Sequence, residues 1–267
     1  MTPEAKLAQI AVSLKSAGID ALVMGGHAVR YYGVDRNTAD FDMVTSITTP
    51  EELTARLRET ELFQKAVALP VWRSKDFARF EIGTLPDGRQ ELMEFWLRNH
   101  LLSDYDAMKS RAELGEYGGA HVSFISLDDL LKSKETEREG DWQDIALLEE
   151  IRDARLPAAA TDLGRIVTAL SEVRSRRGFD RLQTCGILDD KAAVAAAIEQ
   201  CVHPVTFAFL SPLCPDIRPA KLPGPIDPAA LQALGRVTFN SALHLGVVEI
   251  FLRLSAKCRH DHFRNRP

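Results

Sequence analysis

The chain has 267 residues, 45% of them hydrophobic and 27% charged, with a net charge of −5. That is enough for one large or two small domains with real cores, and it excludes a global basic field for nucleic acid while leaving a local basic groove open. No apolar run reaches membrane-spanning length and residues 1–18 lack the apolar centre of a signal peptide, so a cytoplasmic protein without a membrane partner is expected.

Residues 3–17 place Leu7, Ile10, Ala11 and Leu14 at helical spacing, and Gly18 follows as a C-cap. The short apolar run 21–24 reads as a buried strand. Gly25-Gly26 interrupts it, residues 27–32 begin a helix, and Gly33 ends that helix. Arg36, Asn37 and Thr38 form a polar connection. Residues 39–44 then alternate as a strand, which puts Asp40 and Asp42 on one face. Thr49 caps a second helix, with Pro50 in its first turn and Leu53, Leu57 and Leu62 facing inward. This alternation of strands and helices predicts a mixed α/β domain.

Residues 78–83 and 89–96 flank a Pro- and Gly-containing turn and read as a hairpin. Glu94 stands between apolar neighbours on its second strand, a costly position unless it binds something; Glu91 lies on the opposite face of the same strand. Residues 121–125 read as a strand, followed by a helix with Ser126 as N-cap and Asp129 at its third position. Residues 145–154 finish a helix, and Leu156-Pro157 marks the expected boundary between a domain over 1–155 and a mainly helical one over 156–267. In the latter, 162–177 and 189–200 read as amphipathic helices, 204–228 as an irregular proline-rich connection, 239–254 as a buried closing helix and 257–266 as a basic tail. Cys185, Cys201, Cys214 and Cys258 form no Cys-x-x-Cys and are expected to be reduced.

Taken together, residues 24–44 combine a glycine turn, the start of a helix and Asp-x-Asp on the next strand. Glycines let a backbone approach a ligand closely, first-turn N–H groups attract phosphate, and paired carboxylates with substrate phosphates hold Mg²⁺. The joined pattern, Gly-Gly, helix, Arg-x-Thr-x-Asp-x-Asp, resembles the nucleotidyltransferase superfamily related to polymerase beta. Within it the nearest likeness is to AbiEii-type toxins and to aminoglycoside or lincosamide nucleotidyltransferases. The resemblance spans roughly residues 20–150.

The resemblance implies a mixed-sheet nucleotidyltransferase core flanked by helices, with Mg²⁺ as cofactor and a nucleoside triphosphate as substrate. It implies that Asp40 and Asp42 bind the metal, with Glu94 as the third carboxylate and Glu91 as the alternative. Glu94 departs from the family's usual Asp by one methylene. Gly25 and Gly26 would cradle the phosphates and Lys134 would neutralise them. Arg36 would contact phosphate or, as preferred here, brace the loop before Asp40. Thr38 is expected to be structural and His27 to lie at the surface. Residues 130–144 resemble the family's lysine-bearing helix, with Arg138, Asp141 and Asp144 matching its further positions and Gly140 replacing a residue that is often basic. Three activities follow: a toxin-type enzyme modifying RNA, notably tRNA, with a cognate antitoxin; a transferase acting on a small-molecule antibiotic; or a nucleotide-binding or antitoxin-like protein without turnover.

Overall fold

The computed structural model describes residues 1–71, 75–136 and 138–220. The chain divides into two compact units, Met1–Thr136 and Glu137–Pro267. The expected helix over 239–254, the basic end over 257–266 and Cys258 lie outside the described residues.

The first unit contains α1 (Pro3–Ser16), β1 (Ala21–Val23), α2 (Gly25–Tyr31), β2 (Phe41–Thr45), α3 (Pro50–Arg58), β3 (Val67–Leu69), β4 (Phe77–Thr84), β5 (Gln90–Trp96), α4 (Tyr105–Arg111), β6 (Glu113–Tyr117), β7 (Ala120–Phe124) and α5 (Leu127–Ser133). The strands form one seven-stranded sheet in the order β3-β4-β5-β2-β1-β7-β6. It is mixed: β1 runs parallel to β7 and antiparallel to β2, β2 runs parallel to β5, and the outer pairs are antiparallel. The unit is therefore α/β.

Local sequence explains most of these elements. Thr2, Thr49, Asp104 and Ser126 each cap a helix by accepting a first-turn N–H. The core joins Leu7, Ile10 and Leu14 of α1 to Leu22, Phe41, Met43, Met93, Phe95 and Phe124 of the sheet, all almost fully buried. Each such phenylalanine contributes on the order of 2–3 kcal/mol of transfer free energy. Two residues four apart seat α2 on the sheet. His27 stacks on Phe41 at 5.2 Å between ring centroids, and Tyr31 stacks on Phe124 at 4.0 Å.

The second unit contains α6 (Glu139–Asp153), α7 (Leu156–Ala159), α8 (Leu163–Glu172), α9 (Arg176–Thr184), α10 (Lys191–Gln200) and α11 (Pro204–Leu210). Its core gathers Val167, Leu170, Phe179, Leu182, Val194, Ile198 and Phe209. The helix expected over 162–177 is two helices. Buried Asp153 accepts the backbone N–H groups of Arg174 (2.8 Å) and Ser175 (2.6 Å), which takes that backbone out of the helical ladder. The connection expected to start at 204 begins instead with α11, because a proline in the first turn suits a helix start. Cys201 is buried and Cys185 exposed, and both are free thiols. Among the described residues no helix is long and apolar enough to cross a membrane.

Candidate functional site

β2 and β5 run side by side in a register that pairs Asp42 with Glu94. Residues opposite one another share a face, and here that face carries two acids. Phe41 and Met43, on the other face, are buried in the core and hold the strand in this orientation. The two carboxyl groups share a hydrogen bond, and Asp42 is pushed up to about 7. Burial is the main cause; the charge of Glu94 and the shared hydrogen bond come next, while Lys134 acts in the opposite sense. Two acids held this close are costly to ionise together without a cation.

The glycine turn is built around the same carboxylate. Met24 N–H bonds Asp42 O at 2.9 Å, continuing the β1–β2 ladder into the turn. Gly25 has φ +62°, and a Cβ there would lie 1.9 Å from Asp42 Oδ2. A Cβ at Gly26 would lie 2.3 Å from Thr38 Oγ1. Both glycines are thus required by the protein's own side chains: the first makes room for Asp42, the second for Thr38. This fits the structural role expected of Thr38. Met24, the N-cap of α2, supplies no side-chain acceptor to the helix's first N–H groups.

The remaining predicted residues are placed as follows. Asp40 is exposed and precedes β2, which starts at Phe41 instead of residue 39. Its charge contributes, as the smallest of the named causes, to the upward shift at Asp42. Glu91 points to the other side of β5 and pairs with Lys6 of α1. Lys134 is the C-cap of α5, buried at 7% exposure. The helix does not run through to residue 144: α5 ends at Ser133 and α6 starts at Glu139, so the break precedes Gly140. Asp141 and Asp144 are buried on α6, and Arg138 pairs with Asp141 at 3.5 Å.

His27 corrects the expectation of a surface residue. It is fully buried, with Nδ1 3.1 Å from the Tyr117 hydroxyl and Nε2 without a partner. Burial lowers its pKa to about 4, so it is neutral at physiological pH. The loop before Asp40 is braced by a residue the sequence did not single out. Arg30 Nη1 donates to the Arg36 carbonyl at 2.7 Å and also pairs with Glu4.

Arg79 of β4 was likewise not anticipated. It pairs with Glu94 across the β4–β5 ladder and sends Nε and Nη2 to Oε1, at 2.7 and 2.6 Å. The alternation of strand 77–84 would have placed it on Glu94's face had the hairpin register been readable. A register shift between Glu81 and Gly83 obscures it.

Among the described residues no three His, Cys, Asp or Glu side chains converge on one point as a metal-binding group. The pair Asp42–Glu94 is what the fold assembles. This donor set fits Mg²⁺, which binds through one or two carboxylates completed by substrate phosphates and water.

No protein-family profile matches the chain, and no curated protein matches it. Solved structures do show likeness. An antigenic nucleotidyltransferase-like protein from Paracoccidioides brasiliensis aligns at 21% identity with a TM-score of 0.41, covering 69% of this chain and 92% of that one. The JHP933 protein from Helicobacter pylori aligns at 14% identity with a TM-score of 0.39, covering 98% and 95%. Similarity at this level carries no functional argument.

Proposed function

We propose that the chain is a Mg²⁺-dependent nucleotidyltransferase that moves a nucleoside monophosphate from a nucleoside triphosphate to an acceptor hydroxyl. The observation that carries this reading is the register of β2 against β5. It brings Asp42 and Glu94 together at the glycine turn, an arrangement of two acids that a bound cation would stabilise.

Asp42 and Glu94 would hold the cation, with Asp40 at the exposed approach. Bound Mg²⁺ supplies Lewis-acid stabilisation of the charge that develops on the transferred phosphoryl group. The residues themselves do the rest. The first-turn N–H groups of α2, after Gly25 and Gly26, would meet the terminal phosphates. Lys134, whose charge already reaches Asp42, would offset the triphosphate's charge. Arg36, whose carbonyl Arg30 holds, lies in the loop before Asp40 and would contact phosphate or brace that loop. The acceptor oxygen forms a bond to the α-phosphorus as the bond to the bridging oxygen breaks, and pyrophosphate leaves. The hydroxyl proton passes to the Glu94 oxygen that Arg79 does not hold.

For the acceptor the reading takes RNA of the kind modified by toxin-type enzymes, with an aminoglycoside or lincosamide hydroxyl as the alternative. A cytoplasmic setting and a cognate antitoxin partner belong to this reading. The test is incubation of the full chain with each labelled nucleoside triphosphate, Mg²⁺ and either total RNA or a panel of antibiotics. Label in RNA supports the reading, label in a drug replaces its acceptor, and nucleotide binding without transfer rejects turnover.

A further inference from the structure

We infer that Arg79 is a positioning residue that fixes Glu94 for this reaction and limits how tightly the carboxylate pair holds its cation. The inference rests on the nucleotidyltransferase reading above and adds a residue to it. Asp42, Glu94 and Arg79 stand in one row across three adjacent strands, because β2 pairs Asp42 with Glu94 and β4 pairs Arg79 with the same glutamate. All three therefore share one face of the sheet.

The contact is one-sided. Nε and Nη2 of Arg79 both converge on Oε1, so Oε2 is the oxygen Arg79 leaves unengaged. The guanidinium is itself held in place. It lies over the Phe77 ring at 5.5 Å, and Phe77 packs against Trp96 at 4.8 Å. A planar fork stacked on an aromatic ring has little freedom, and it transfers that restriction to the carboxylate it binds. Glu94 is one methylene longer than aspartate and would otherwise have an additional rotatable bond beside a like charge. Arg79 removes that freedom on the side away from Asp42.

The same contact has an electrostatic consequence. A cation coordinated by Asp42 and Glu94 would lie near the positive charge of Arg79, and like charges oppose each other. Arg79 thus improves the geometry of Glu94 while weakening cation binding. Its removal acts on rate and on metal affinity in opposite directions, a signature that loss of a merely stabilising surface ion pair does not produce.

The experiment titrates Mn²⁺ into the full chain, following free Mn²⁺ by electron paramagnetic resonance, and measures kcat for pyrophosphate release. It uses the wild type, Arg79→Gln, Arg79→Lys and Asp42→Asn. Arg79→Gln is expected to bind Mn²⁺ at least ~3-fold more tightly, from loss of one nearby positive charge. Arg79→Lys keeps the charge but not the fork, so its Mn²⁺ affinity should stay within ~2-fold of wild type. Both variants should lose about 10-fold in kcat through misplacement of Glu94. Unchanged affinity and rate in Arg79→Gln, weaker Mn²⁺ binding in that variant, or full rescue of rate by lysine would overturn the role of Arg79 while leaving the enzyme reading intact. Absence from the wild type of any Mn²⁺ site that Asp42→Asn removes would overturn both.

Discussion

Gly25 shows how closely a single residue ties the fold to the site. Its φ of +62° is in the left-handed region, and the space a side chain would take is filled by Asp42. Gly25→Ala should destabilise the protein by about 1–3 kcal/mol, through backbone strain and the displaced carboxylate. It should also abolish transfer, since Asp42 must swing away; a urea melt and a pyrophosphate assay read the two effects, and wild-type turnover would contradict this account of the turn. His27 is the other decisive residue. It is neutral in its buried site, with a pKa of about 4 against an ordinary value of 6.5. Between those two values the unfolded chain binds a proton that the folded chain refuses, so this residue's contribution to stability is full above about pH 6.5 and falls as pH drops toward 4. The loss should be on the order of 2–3 kcal/mol. His27→Phe keeps an aromatic ring over Phe41 and should flatten that part of the curve in circular-dichroism melts from pH 7.5 to 4.5. An unchanged slope would show that His27 does not carry it.

At the scale of elements, the site is assembled by strands and served by a capped helix. The Ser126 hydroxyl accepts from Asp129 N–H at 3.1 Å and donates to Asp129 Oδ2 at 2.7 Å, while Arg111 holds the same carboxylate. This arrangement fixes the start of α5, whose end carries Lys134. Ser126→Ala should cost about 1 kcal/mol of stability in urea unfolding. On the proposed role of Lys134 in triphosphate binding it should also raise KM for the triphosphate with little change in kcat; an unaltered KM would separate α5 from nucleotide contact. The cap was legible because Ser and Asp three apart before an apolar run have a local signature. The β1–turn–α2–β2 unit was legible for the same reason: its glycines, apolar run and acids are neighbours in sequence. Arg79 and Arg30 were not: a bulge lies in the hairpin register between Arg79 and Glu94, and Glu4, the partner of Arg30, is on a separate helix. His27 was misjudged because a polar residue in a helix's first turn reads as solvated, and nothing local announces Phe41 and Tyr117 on either side of it. Asp40 was placed on β2 because an alternating pattern does not reveal where pairing begins.

For the whole molecule, the two units divide the work of structure and chemistry differently. The first contains Asp42, Glu94, Gly25, Gly26, Arg79 and Lys134, all on or beside a single mixed sheet. The second has its own helical core, with Asp153 buried at the break between α8 and α9 and Cys201 enclosed. Its helices near 145–154, 162–177 and 189–200 were anticipated in rough position, but 162–177 divides into α8 and α9, because a buried side chain from a distant helix decides where α8 stops, and α11 stands where a connection was expected. The central claim concerns only the first unit: Asp42 and Glu94 are paired by the sheet in order to hold Mg²⁺ around a triphosphate. Mg²⁺-dependent pyrophosphate release by the wild type and by Asp42→Asn, compared at equal folded concentration, tests it most directly. The account predicts release by the wild type and a loss of about 100-fold or more in the variant, as expected when a metal-holding carboxylate is removed. Equal release by the two proteins would contradict it.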